Sequence, residues 1–589
     1  MNDNRNMLLA IVLSAIVLLG WGLLSDKFFP TPKPPTHQVE SGKAKPAPGP
    51  STAPAAQAPQ AIRDRSVVLA ETPRVRIETP SLQGSINLKG ARFDDLDLVK
   101  QRETIAKDSP PVRLLSPAGA KDSYFTQFGW SGDGIATPDG NSIWTASAPS
   151  LTPGKPVTLS WTNPTGQRFE QIISVDDGYL FAIKQRVVNG GDGPVAIRTY
   201  GLASRADKSK DPSTWTNHVG PISFLGGKAE YDVKWETLDE DKAGVTLDSR
   251  GGWLGFTDKY WLTALAPASD APIAASFKRT PSGAYQADYA GAPFVVAPGQ
   301  AVSSESRLFA GAKEYNYLQR YEAAGIPSLN RAIDWGWFRF FMIPIFKVLL
   351  WLFGQLGNFG FAIICLTLIV RGLMFPIADR QFRSMAGMRK VQPKMKALQE
   401  RYKDDKPRLQ QEMLKLYQEE KINPAAGCLP ILLQIPVFYA LYKVLMVSVE
   451  MRHQPFALWI KDLSAPDPAT VLNLFGTLNF TPPGILAIGI LPILVGLTMW
   501  AQQKMNSAPM DPTQQKIFAW MPWILMFIMA PFAAGFQVYW VTNNLISILQ
   551  IWFLNRKLGM NNAPTAVALA APTPPPAAGN KGRTRPRKK

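Results

Sequence analysis

The sequence predicts a polytopic α-helical membrane protein with a large all-β domain ahead of its helical core. Three observations predict it. The 589-residue chain divides into unlike halves: residues 62 to about 330 are mixed and strand-like, and residues 334 to 556 are dominated by long apolar runs. Five of these runs, at about 358–378, 425–448, 484–501, 517–534 and 535–555, are long enough to cross a bilayer. Much of the formal charge of +18 lies on segments between or after the runs, as in polytopic proteins oriented by their basic loops.

In chain order, Met7–Leu24 is an apolar run of 18 residues behind Arg5. It exceeds the usual signal-peptide core and no small-x-small cleavage site follows. Residues 1–25 are therefore expected to be an uncleaved signal-anchor helix with a cytoplasmic N-terminus, a cleaved signal peptide being the alternative. Residues 26–61 form a linker rich in Pro, Ala, Ser and Thr, with little from which to build a core. From Val67 onward, short alternating stretches such as RVRIE, SINL and FEQIISV are broken by Gly, Asn, Asp and Pro. They predict a sandwich-type all-β domain over 62–330. Lys313–Ala324 (KEYNYLQRYEAA) reads as a helix closing that domain. Asp334–Gln355 combines Arg339, Lys347 and Pro344 with a crowd of aromatics, which suits the bilayer interface. Residues 331–356 are thus expected to be an amphipathic helix lying on the membrane, a true span being the alternative.

With the anchor, the five later runs make six transmembrane helices and put both termini on one side. The loop Arg380–Lys421 holds twelve Lys/Arg, Glu450–Pro483 only two (Arg452 and Lys461), and Arg556–Lys589 eight with no acid. The basic segments therefore face the cytoplasm and the β domain is exported, which suits the inner membrane of a Gram-negative bacterium and its periplasm. Within the core, 357–556, residues 379–424 are themselves structured. Met388, Val391, Met395, Leu398 and Tyr402 draw an apolar seam at 3-4-3-4 spacing. Leu409, Met413, Leu416 and Tyr417 draw a second one after the turn Asp404-Asp405-Lys406-Pro407. This predicts a charged helical hairpin standing off the membrane. Residues 557–589 are a basic cytoplasmic tail ending in Lys581, Arg583, Arg585, Arg587, Lys588 and Lys589.

Few chemistries fit this chain. Cys365 and Cys428 both fall in or beside apolar runs, so no disulfide framework is expected. His37, His218 and His453 make no metal-ligand spacing, and no GxxxxGK[ST] motif marks a nucleotide motor. Neither a metal nor a cofactor is expected. The spans hold no Asp, Glu or His well inside their boundaries, Asp379 and Glu450 lying at edges, which argues against intramembrane catalysis and ion-coupled transport. An enzyme is not expected.

Beside Arg371, the remaining intramembrane polar set is mostly neutral: Thr367, Gln434, Gln537, Thr542, Asn543, Asn544 and Gln550, with Gln502 and Gln503 near a helix end. Arg371 lies seven residues before the end of the run Phe359–Ala378, roughly 10 Å inside the hydrocarbon. A charge there costs at least about 2.5–3.5 kcal/mol unless it finds water, a partner or a snorkelling route. Tyr539, Asn543, Ile546 and Gln550 follow 4-3-4 spacing, Gln537, Trp540 and Asn544 form an adjacent strip, and Thr367 lies one turn before Arg371. Polar strips around one cation predict a wet cavity open to the cytoplasm, with water as the partner of Arg371. Snorkelling to the near interface is the alternative.

The segments FGFAIICLTLIVRGLMFPI, QPKMKALQERYKDD, NPAAGCLPILLQIPVFYALYKVL and FQVYWVTNNLISILQ, in order over about residues 331–556, resemble the YidC/Oxa/Alb membrane-insertase family. The anchor and exported domain resemble its Gram-negative form. The resemblance implies a periplasmic β-super-sandwich similar to sugar-binding folds, and a five-helix insertase core around a hydrophilic groove open to cytoplasm and lipid. It implies an insertase and chaperone without an energy source, which inserts, folds and helps assemble integral membrane proteins, alone or with the Sec translocon. On the family pattern the groove arginine falls on Arg371, the threonine one turn earlier on Thr367, the glutamine near the fourth span's cytoplasmic end on Gln503, and the last span's aromatic on Trp540. Gln434, Asn543 and Asn544 complete the groove. Many relatives carry two tyrosines where this chain has Tyr539-Trp540, so no role needing a phenolic hydroxyl is expected at 540. The implied partners are nascent membrane proteins, the Sec translocon, the ribosome, the signal recognition particle receptor and lipid, with no DNA. The hairpin residues Met388, Met395, Leu398 and Tyr402 suit varied apolar clients. The basic tail suits ribosomal RNA phosphates or serves as a topogenic, lipid-facing tail. A transporter or channel with a periplasmic binding domain is the rival from another class.

Overall fold

The computed structural model describes residues 62–557 except 212–216, 242, 269, 337–338, 404, 421–428, 476, 479, 481, 483–486 and 506–511. The expected anchor, the linker, Cys428 and the basic residues from Lys581 to Lys589 lie outside the described residues, as does the side chain of Met388.

Residues 74–312 build two β-sheets. One has eleven strands and is centred on Val195–Arg205, Tyr124–Gly132 and Arg92–Arg102; the other has nine and is centred on Ala301–Ala312, Leu180–Asn189 and Gln167–Val175. The central pairings are antiparallel. Leu180–Asn189 shows why: its buried residues recur at every second position, the period of a strand with one face on the core. Rings meet across the layers, Phe93 against Phe181 at 5.2 Å and Trp130 against Phe169 at 5.3 Å. Gln171 and Gln185 are buried polar side chains and need partners; each donates across the layers, to the carbonyls of Phe128 and Gly129, at 2.7 Å. The expected sandwich is present. Short helices α1 (Arg65–Ala70) and α2 (Trp235–Glu240) border it, and α3 (Tyr315–Ala323) closes it where the sequence placed a helix. The Tyr321 hydroxyl on α3 accepts from Tyr179 N at 2.8 Å and donates to Asp176 at 2.7 Å.

Helix α4 (Arg339–Leu356) follows, then α5 (Phe359–Arg401), α6 (Lys406–Glu419), α7 (Leu429–Val447), α8 (Ile490–Met505), α9 (Pro512–Met529) and α10 (Ala534–Lys557). Met342, Phe346, Leu349 and Leu352 of α4 face inward at helical spacing, while Phe340, Phe341, Val348 and Trp351 remain exposed. Gly357, at φ 65°, supplies the turn into α5, whose first amides are capped by the Asn358 side chain.

The sequence separates a span ending at 378 from a hairpin starting at 379, whereas α5 runs unbroken through both for 43 residues, about 65 Å. Pro376 and Pro393 lie inside it. An interior proline removes one backbone hydrogen bond and favours a kink, but packing on both sides sustains the helix. Phe375 and Phe382 pack against Ile551 and Leu554 of α10, and Val391 is buried. Among the described residues, two helical stretches are both long and apolar enough to cross a membrane, Arg339–Leu356 and Phe359–Arg380; Gln434–Val447 and Lys516–Met529 are apolar but shorter.

Polar contacts join the β domain to the helical core. Tyr315 N donates to Glu450 Oε1 at 2.8 Å, Arg452 donates to the carbonyls of Arg102 and Glu103, and Lys443 pairs with Asp334 at 3.1 Å. Burial pushes the Glu450 carboxyl from 4.5 up to about 7, with Glu314 adding to the shift. A raised carboxyl pKa favours folding most below the unfolded value, and that contribution is lost as pH rises through the folded one. The ionised form therefore costs up to about 3 kcal/mol above neutrality. Glu450→Gln keeps an acceptor for Tyr315 N and removes the charge. It is expected to raise the melting temperature of the detergent-solubilised chain by several degrees near pH 8 and hardly at all near pH 5. Equal shifts at both pH values would count against a buried charge at this junction.

A candidate groove between the helices

Helix α10 is the centre of the candidate site, packing against α5, α7 and α8. Its first residues, Ala534 to Tyr539, are buried all round. Beyond them the polar strips divide among different neighbours.

Asn543 faces α5, where its Oδ1 accepts from Arg371 Nε at 2.7 Å. A protein amide thus stands at Nε, where the sequence suggested water alone. An amide carbonyl and a guanidinium form a charge-assisted bond without a second ion, which suits helices lacking acids. Arg371 is partly exposed. Tyr539, one turn before Asn543, is buried and its hydroxyl accepts from Gln434 Nε2 of α7 at 2.9 Å. Asn544 turns to α8 and donates to Thr498 Oγ1 at 3.0 Å. Trp540 is half-buried, edge-on to Phe438 of α7 at 4.9 Å. Gln537 is buried and donates to the carbonyls of Met529 and Phe532, closing the turn between α9 and α10.

Thr367 is 1% exposed and its hydroxyl donates to Ile363 O at 2.7 Å, on its own helix. Gln503 is half-buried in the last turn of α8. The structure therefore joins Arg371 to Asn543, Gln434 to the last span and Asn544 to α8, and ties Thr367 to its own helix.

Sequence reasoning passed over two residues here. Thr498 supplies the α8 partner of Asn544, and its signal was a hydroxyl inside an apolar run. Lys443 is a second cation inside the run 425–448, 1% exposed and paired with Asp334 from the connection between α3 and α4. Its signal was the charge itself; its partner lies 109 residues away in sequence, beyond any helical period.

In the hairpin, Met395 and Leu398 of α5 and its C-cap Tyr402 are partly covered, as are Leu409, Met413 and Tyr417 of α6, and Leu416 is buried. The Tyr417 hydroxyl lies 4.0 Å from Met395 Sδ, and Lys394 pairs with Glu420. The two helices approach each other at Met395 and Tyr417.

Two family models together cover most of the chain. Residues 74–348 match the family model described as the YidC periplasmic domain, and residues 351–561 match the model described as 60Kd inner membrane protein. The chain is 46% identical over 94% of its length to a membrane protein insertase YidC of Zymomonas mobilis, covering 96% of that protein. It is 45% identical to another from Rhizobium etli, over 95% of this chain and 96% of the relative. The crystal structure of an active YidC insertase with its first transmembrane domain resolved aligns at a TM-score of 0.36 and 18% identity, over 84% of this chain and 95% of that one. At such identity over almost the whole length, the chain belongs to the YidC family of membrane protein insertases, inner membrane proteins with a periplasmic domain.

Proposed function

We propose that this chain is a membrane protein insertase and chaperone whose nascent clients pass through the polar groove around Arg371. The observation that carries the reading is the bond from Arg371 Nε to Asn543, set among amide and hydroxyl pairs that link α10 to α7 and α8. A guanidinium has five N–H donors, and Asn543 engages the one on Nε. A client's polar flank costs too much to carry across about 30 Å of hydrocarbon. A wet groove shortens that path, and Arg371 attracts acidic residues in the flank. The client's apolar helix then leaves sideways into lipid, driven by its own burial. No bond of the client is made or broken, so the activity is not enzymatic. Trp540, Gln503 and Gln434 line the path in this reading, and Thr367 shapes its wall.

The same proposal takes six transmembrane helices, with the anchor and α5, α7, α8, α9 and α10 crossing, both termini in the cytoplasm and the β domain in the periplasm of a Gram-negative cell. Helix α4 lies along the interface. Its middle residues support this: Phe346 is 5.5 Å from the Tyr315 ring and Lys347 is 5.9 Å above it, so the centre of α4 sits at the β domain. The hairpin seam receives apolar client segments, and the basic tail meets the ribosome or anionic lipid. The Sec translocon and the signal recognition particle receptor are further partners.

Purified protein in lipid vesicles is expected to insert an in vitro synthesised membrane protein to a protease-protected state. Photoprobes at 503 and 540 should crosslink the ribosome-bound client, and a probe at the buried position 367 should do so more weakly. Solute or ion flux without any nascent chain, with no insertion, would instead favour a transporter.

A further inference from the structure

The connection between α7 and α8 is built inside out for a water-facing loop. From Pro468 to Gly489 its 22 residues include no Asp, Glu, Lys, Arg or His. Among its described polar side chains Thr470 and Asn473 turn inward with the preceding Asp467, while Thr477 is exposed and its hydroxyl donates to Leu474 O at 2.8 Å. Asp467, 5% exposed, accepts from Trp459 Nε1, Ala469 N and Leu491 N. Thr470 and Asn473 exchange bonds, Thr470 N to Asn473 Oδ1 at 3.0 Å and Asn473 N to Thr470 Oγ1 at 3.2 Å. Backbone amides of Phe475 and Leu478 are taken by the carbonyls of Thr470 and Asn473. The apolar side chains point outward: Val471, Leu472, Leu474, Phe475, Leu478 and Phe480 are 46–57% exposed. Leu474 and Phe475 are held at φ 50° and 60°, a conformation that L-residues with large side chains rarely adopt.

The patch has a fixed place. Ile490 N donates to Ala469 O and Leu491 N to Asp467, which ties the loop to the first turn of α8. Upstream, Glu450 and Arg452 bond to the β domain, so this is the periplasmic end of the core. Backbone groups satisfied internally beneath outward apolar side chains are what a segment needs where water is absent. A protein-binding patch would carry a polar or charged rim, and this stretch offers no charge for one.

We propose that Val471, Leu472, Leu474, Phe475, Leu478 and Phe480 form an apolar wedge inserted into the periplasmic leaflet of the inner membrane, at the boundary between headgroups and acyl chains. The occupant is lipid. The wedge holds the first turn of α8 at a set depth, because Asp467 caps that turn from the loop itself.

The test uses the full chain with Cys365→Ser and Cys428→Ser, carrying Leu474→Cys or Phe475→Cys labelled with a small fluorophore, in phosphatidylethanolamine and phosphatidylglycerol vesicles. Asp133→Cys, exposed on the β domain, is the reference. Nitroxides high on the acyl chain should quench positions 474 and 475 at least about threefold more than 133, and aqueous iodide should do the reverse. Iodide quenching equal to that at 133 would show a water-facing loop and overturn the proposal. Protection from both quenchers would show a protein or a second copy there and would also overturn it. Labels at Leu472→Cys and Leu478→Cys read the same surface should a label at 475 disturb the loop.

Discussion

Arg371→Ala is expected to lower insertion of a client with an acidic translocated flank by roughly ten- to a hundredfold, the value of a hydrogen bond to a charged group at about 1.5–3 kcal/mol. Arg371→Lys should retain much of the activity, because it keeps the charge while losing the planar fork. A client with a neutral flank should be affected far less by either change. Asn543→Ala is expected to fall between wild type and Arg371→Ala, since it releases Nε but leaves the cation. Vesicle insertion assays with the two clients separate these cases. Equal insertion by wild type, Arg371→Ala and Arg371→Lys would end the groove-charge mechanism while leaving the fold untouched.

The second large effect is on stability. Asp334→Ala removes the carboxylate 3.1 Å from Lys443 Nζ, beside a side chain only 1% exposed. It also removes the acceptor for His218 N and Gly336 N. Losing one partner of a buried pair typically costs about 3–5 kcal/mol, and the lower end applies here because Asp334 is partly exposed. The melting temperature of the full chain in detergent should fall by several degrees. The double variant Asp334→Ala/Lys443→Met should recover much of that loss, since no buried charge is left behind. A single variant that melts like wild type would show that the pair does not hold the β domain's last segment to α7.

Much of the architecture was legible because periodicity encodes which face of an element is buried. Alternation in FEQIISV and RVRIE pointed to sheets, and strands Gln167–Val175 and Arg74–Glu78 stand there. The 3-4 spacing of Met395, Leu398 and Tyr402 pointed to a paired seam, and Tyr417 of α6 meets it at Met395. Polar residues at helical spacing on the last span marked the candidate groove. Local cues failed where packing outweighed them. The charges after Ala378 read as the end of a span, yet α5 continues because Phe375 and Phe382 are packed by α10.

Partner identity was not legible at all. A face has a period, whereas the residue across from it is set by how two helices rotate and slide against each other. Thr367 and Arg371 share a helical face in sequence, but a hydroxyl on a short stem can reach its own Ile363 carbonyl while the long guanidinium reaches α10. The chain's own pattern determined a membrane protein with an exported β domain, a basic hairpin and a cation, Arg371, deep in an apolar run. Only tertiary structure decided that Asn543 bonds this cation, that Asp334 offsets Lys443, and that a charge-free loop turns its leucines and phenylalanines outward. The reason is physical: apolar burial follows from local spacing, but pairing buried polar groups requires two distant segments to meet within hydrogen-bond distance.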